Sequence, residues 1–205
     1  ATGKDNYLRI ARKAADLVDR RFRPTPPELV HFPANPSIIM ALVELYRTTG
    51  CARYLELAET FVNNRGSDPG DWHKRPHIGT DMNQDRVPLR DETQAVGHAV
   101  AGTYLYCGAA DVCAETGDPA LLKALKRIWN NANLRKSDPT GSIGFGRVVT
   151  DRGDHVHEAF GSDYQLPNLY NETCSTIGNA MWSWRLLSIT GEAKYAEAVE
   201  RVLYN

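Results

Sequence analysis

Three stretches of this chain repeat one pattern: ALVELYRTTGCARYLELAETFV at 41–62, TYLYCGAADVCAETGDPALLKALKRIW at 103–129 and MWSWRLLSITGEAKYAEAVERVLY at 181–204. Each is an apolar stripe at helical spacing, then Thr-Gly, then a few residues, then a second amphipathic run. Gly50, Gly117 and Gly191 suit the left-handed residue just past a helix C-terminus. So short a connection turns the second helix back along the first, giving an αα-hairpin. The Thr-Gly pairs recur about 70 residues apart, so each unit holds one hairpin and a segment that returns to the next. A hairpin of this kind cannot bury its inner face alone. Repetition predicts a curved array or a closed α/α toroid.

A further helix, DNYLRIARKAADLVDRRF, precedes the first unit, and the stretches 24–36, 64–80 and 137–168, rich in Pro and Gly, read as loops. Loops of a toroid gather on one face and build the site there. The chain stops at RVLYN with the helical pattern still running, which reads as part of a larger protein. Its 205 residues are enough for one large domain.

A formal net charge of −1 leaves no basic excess for nucleic acid or an anionic membrane surface. No apolar run approaches the roughly 18 residues of a membrane span. The N-terminal ATGKDNYLRI has no apolar signal core, which leaves cytoplasm and export both open. The four cysteines, Cys51, Cys107, Cys113 and Cys174, form no CxxC and no dense framework. Cys107 and Cys113 read as core thiols. Only Cys174 has a neighbour suggesting chemistry.

That neighbour is Glu172, in YNETCSTIGNAMW. A Glu-x-Cys pair at a helix start turns both side chains toward one point, and zinc accepts carboxylate and thiolate together. The plain alternative is Asn171 as N-cap, Glu172 as a favourable first-turn acid and Cys174 as a small buried residue. Glu158, in HVHEAFG, is either a solvated loop acid or a proton donor with aromatic neighbours. His98, in AVGHAVAG, is either a satisfied core histidine or, given the small residues around it, a group open to a ligand. His155 and His157 read as loop residues. Asp163, Tyr164, Asn168 and Tyr170 suit either a sugar pocket or turn chemistry. Trp182 and Trp184 read as helix packing, and Arg90, Asp91 and Glu92 as a solvated or loop-bracing cluster.

Longer blocks add to this. HEAFGSDYQLPN, YNETCSTIGNAMWSWRLL, TGEAKYAEAVERVLYN, QDRVPLRDETQAVGHAVAGTYLYCGAADVCAETGD and ALVELYRTTGCARYLELAETFVNNRG occur across nearly the whole chain. Together they resemble glycoside hydrolase family 127 and its relative family 146, zinc-dependent β-L-arabinofuranosidases and kin. The resemblance implies an (α/α)6 catalytic barrel, of which residues 1–205 would be part. It implies cleavage with retention, a carbohydrate substrate, a glutamate acid/base, and a zinc held by one glutamate and three cysteines, one of them the nucleophile. By motif it assigns Glu158 as acid/base, Glu172 and Cys174 as zinc ligands, and His98 and Thr173 as sugar contacts. It places the nucleophile and the remaining ligand beyond residue 205. The chain departs from the family at Arg86, where a histidine is common, at Asn35, Ser37 and Ile39, where a histidine and acids are common, and in a spacing before ETC about two residues short. Two other readings stand beside it: a helical toroid that binds or scaffolds, and a sugar epimerase on the same fold, which needs paired histidines and no zinc.

Overall fold

The computed structural model describes residues 4–24, 31–67, 81–149, 155–164 and 172–205. Seven α-helices run through them: α1 (Asn6–Phe22), α2 (Ser37–Thr49), α3 (Ala52–Asn64), α4 (Ala99–Thr116), α5 (Pro119–Arg135), α6 (Thr173–Thr190) and α7 (Ala193–Tyr204). The three Thr-Gly turns join α2 to α3, α4 to α5 and α6 to α7, as the repeat predicts.

Each turn closes by the same local chemistry. The N–H groups of Gly50, Gly117 and Gly191 donate to Tyr46, Cys113 and Leu187, four residues back. The preceding threonines return their hydroxyls to the carbonyls of Leu45, Val112 and Leu186. In the first and third turns the same hydroxyl also accepts the N–H of the residue two further on. In the second, Asp118 caps α5 by accepting from Ala120 and Leu121 N–H, with Pro119 in the first helical turn.

Contacts between hairpins give the direction of each helix. Gly108 of α4 lies against Ile39 of α2, and further along Arg47 pairs with Asp111 and Glu115. Gly178 of α6 lies against Thr103, and further along Arg185 bonds Asp111. Helices α2, α4 and α6 are therefore parallel, with their N-termini at one end. Helices α1, α3, α5 and α7 form a second layer running the opposite way. Phe22 meets Phe61 edge-on at 5.1 Å between α1 and α3, and Trp129 meets Tyr195 at 4.7 Å between α5 and α7. Between the layers lies a buried core that includes Tyr54, Phe61, Leu105, Leu125 and Trp182. This alternation is the all-α, αα-hairpin architecture of part of an (α/α)6 toroid.

Two expectations need correction, and a third resolves between its alternatives. Residues 137–168 are not all loop: β1 (Gly146–Val149) and β2 (His155–Ala159) form an antiparallel pair, with Gly146 opposite Ala159 and an irregularity before Val148. Each strand is too short for alternation to stand out from loop composition. Trp182 is buried against the Tyr106 ring, but Trp184 is 59% exposed, because residues two apart on a helix do not share a face. Glu92 is not solvated. It is buried, accepts from Arg86 through both carboxylate oxygens, and caps the N–H groups of Thr93 and Gln94. The bracing half of that expectation holds for Arg90 too, which bonds Asp118 and Asn63. Cys107 and Cys113 are buried thiols as expected.

Candidate active site

Described parts of the segments before α4 and α6 meet at the N-terminal end of these helices. His98 is the N-cap of α4, where its Nδ1 accepts the Ala101 N–H at 3.3 Å. Glu172 is the N-cap of α6, one position later than the sequence suggests, and its own side chain makes no capping bond. Gly144 lies between the two helix starts, close to Ala99 and Ser175. Buried Ser175 donates to the carbonyls of Ile143 at 2.5 Å and Glu172 at 2.9 Å, which ties the start of α6 to that loop. Sequence reading passed over Ser175, since a serine in a first turn carries no distinctive signal.

Strand β2 delivers Glu158. Its last residue, Ala159, bridges to His98, and the Phe160 N–H donates to the Gly97 carbonyl at 2.9 Å. Behind it Phe160 packs over Gly102 and near the Tyr106 ring. The outcome is a direct contact: His98 Nε2 lies 3.1 Å from Glu158 Oε2. With Nδ1 accepting a backbone N–H, neutral His98 carries its proton on Nε2 and donates it to the carboxylate.

Cys174 and Glu172 form the second pair, with Sγ 2.6 Å from Oε2. Desolvation pushes the Cys174 thiol above its ordinary range; the hydrogen bond to Glu172, the charge of Glu172 and that of Glu158 add to this. Glu158 is thus close enough to act on Cys174. Thr173, the first residue of α6, is exposed between Glu172 and Cys174. Four of the five residues singled out by motif therefore form two contacting pairs at one end of the helices. Among the described residues no group of three or more His, Cys, Asp or Glu side chains converges as a complete metal site.

The other candidates fare differently. Asp163 accepts from Asn131 and Arg135 of α5, so it braces the loop, while Tyr164 is exposed. Asn168, Tyr170 and Asn171 lie outside the described residues. A cleft of about 500 Å³ sits toward the opposite end, beside Glu44, Arg47, Asp111 and Arg185. Its arginines are already engaged, Arg47 with Glu44, Asp111 and Glu115, and Arg185 with Asp111.

Comparison with known proteins bears on the family and the fold. The family model described as "Beta-L-arabinofuranosidase, GH127 catalytic domain" matches residues 1–205. A curated relative, the non-reducing end beta-L-arabinofuranosidase of Bifidobacterium longum subsp. longum, is 34% identical over all of this chain and 32% of its own length. A solved structure named only as a glycoside hydrolase matches with TM-score 0.86 and 44% identity, over 100% of this chain and 34% of the other. A GH127 beta-L-arabinofuranosidase from Geobacillus stearothermophilus T6 matches with TM-score 0.84 and 33% identity, over 100% and 33%. A cellobiose 2-epimerase from Spirochaeta thermophila matches at 14% identity and TM-score 0.54, over 98% and 55%, a likeness of fold alone. The chain spans about one third of the length of the curated relative it matches. On the match over its whole length, the chain belongs to the GH127 beta-L-arabinofuranosidase catalytic-domain family.

Proposed function

We propose that this chain supplies part of the active site of a retaining glycoside hydrolase that releases terminal L-arabinofuranose, β-linked, from glycans. The observation that carries the reading is the 3.1 Å contact between His98 Nε2 and Glu158 Oε2, formed beside the Glu172–Cys174 pair. Glycoside cleavage needs one group that protonates the leaving oxygen and then takes a proton from water. Glu158 fits that role, because contact with His98 fixes the position of its carboxylate. The exposed Thr173 hydroxyl can meet a sugar hydroxyl.

Glu172 and Cys174 fit zinc as two of four ligands: carboxylate oxygen and sulfur are a donor set it accepts, and the two side chains already meet. The remaining sulfur ligands, the nucleophile among them, belong on this reading to sequence beyond residue 205. When bound, zinc would keep a coordinated thiol deprotonated near neutral pH.

The test uses a longer polypeptide that contains this chain and a nitrophenyl β-L-arabinofuranoside. Glu158→Gln is expected to lower kcat by about 10²- to 10⁴-fold. Glu172→Ala or Cys174→Ser should remove stoichiometric zinc, read by metal analysis. Undiminished hydrolysis by Glu158→Gln, or an isomerised rather than cleaved sugar, would overturn the reading. The 205 residues alone are expected to release no arabinose.

A further inference from the structure

Gln84 follows a short 3-10 turn, Asp81–Asn83, and holds a left-handed backbone with φ 53, which residues other than glycine adopt rarely. Its side chain is buried, at 3% exposure. The amide nitrogen lies 2.8 Å from the Val96 carbonyl oxygen, 3.1 Å from that of His98 and 3.3 Å from that of Met82. Three acceptors around one atom dictate which way the amide faces, since an oxygen in that place would meet only oxygens. The other end suffers for it: Gln84 Oε1 is buried with no hydrogen-bond partner among the described residues. A disfavoured backbone and an orphaned acceptor persist together only where the surroundings over-determine them.

What they secure is the backbone of His98. Its N–H donates to Met82 O at 3.2 Å, and its carbonyl accepts both Gly102 N–H, at 2.8 Å, and the Gln84 amide. The neighbouring Gly97 carbonyl holds Phe160, and Ala159 bridges to His98 itself. His98 and the strand bearing Glu158 thus share one frame. Gln84 is the side chain that fastens that frame to the 81–86 segment. Gly102, one turn into α4, leaves room for this: a Cβ there would lie 2.7 Å from Phe160 Cε2 and 3.4 Å from Gln84 Nε2.

We propose that Gln84 is a positioning residue for the His98–Glu158 pair. By holding the His98 carbonyl it keeps Nδ1 on the Ala101 N–H and the Nε2 proton on Glu158. The inference rests on the function proposed above for that pair.

The test reads the His98 ring directly, by long-range ¹⁵N–¹H correlation on a labelled longer polypeptide that contains this chain. This chain alone has six histidines, and the signals of His98 are the set lost in His98→Gln. The unaltered chain is expected to show the Nε2-protonated tautomer. Gln84→Met keeps length and apolar volume but removes the donor, and should convert His98 to an averaged pattern of both tautomers while the far-ultraviolet circular dichroism stays unchanged. A folded Gln84→Met chain with the original His98 pattern overturns the proposal. Should that variant fail to fold, the unaltered chain decides: the Gln84 side-chain amide protons should exchange at least about tenfold more slowly than those of exposed Gln94. Equal rates overturn it. Neither readout needs substrate, so a failure to detect glycosidase activity would leave both standing, and their failure would leave the activity untouched.

Discussion

The two ends of the helical layers use the same residue for opposite reasons. At the Thr-Gly end, a Cβ added to Gly50, Gly117 or Gly191 would meet nothing within 4 Å, yet φ values of 67, 69 and 71 disfavour any side chain. Toward the site end the constraint is space. A Cβ on Gly178 would stand 2.1 Å from Thr103 Oγ1, and α4 and α6 could not cross as closely as they do. One end is closed by local backbone conformation, repeated three times. The other is closed by neighbours that arrive from distant parts of the chain, and it is there that chemistry-bearing residues collect.

The contrast can be broken by substitution. The largest effect is expected from Glu92→Ala, in the segment that leads to His98, where a buried carboxylate holds Arg86 and two backbone N–H groups. Its loss should cost about 3 kcal/mol in urea unfolding. The same residue sets a pH dependence. Burial raises its pKa, but Arg86 and the N–H groups of Gln94 and Thr93 outweigh this and hold it below the usual glutamate value of about 4.3. Stability from Glu92 is therefore present above that value and drains away as pH falls through the lower folded pKa. Glu92→Gln should flatten this acid limb; an unchanged limb would remove Glu92 from the account.

Gly178→Ala comes next, with an expected loss of about 1–3 kcal/mol from overpacking against Thr103. Gly191→Ala, in open space but at positive φ, should cost about 1 kcal/mol. If the two alanines proved equal, or their order reversed, the distinction between space and conformation would fail. The smallest effect belongs to Trp184→Ala, which should change stability by less than about 0.5 kcal/mol because the ring is largely exposed. A loss of several kcal/mol would mean that Trp184 is covered in solution.

Much of the helical plan was legible because its causes lie close together in sequence. The Thr-Gly turns need only a left-handed residue, a threonine hydroxyl and flanking stripes at helical spacing, all within a short window. The β1–β2 pair was not legible, because a four-residue strand becomes a strand only when Gly146 meets Ala159 and Ala159 meets His98. Trp182 and Trp184 looked alike for the same reason: spacing places them on different faces but does not say which face has a neighbour. At the site, Glu172 and Cys174 were legible as a pair, being two residues apart. Gln84 carried no signal, since its role depends on carbonyls at 96 and 98.

Sequence alone determined the number of hairpins, the position of their turns and the nearness of Glu172 to Cys174, all consequences of backbone preferences and side-chain reach within a few residues. Only the tertiary structure decided that His98 and Glu158, 60 residues apart, meet at 3.1 Å. Their meeting requires α4, β2 and the 81–86 segment to pack in one arrangement, and packing between remote segments is governed by steric fit and buried hydrogen bonds that no short window of sequence contains.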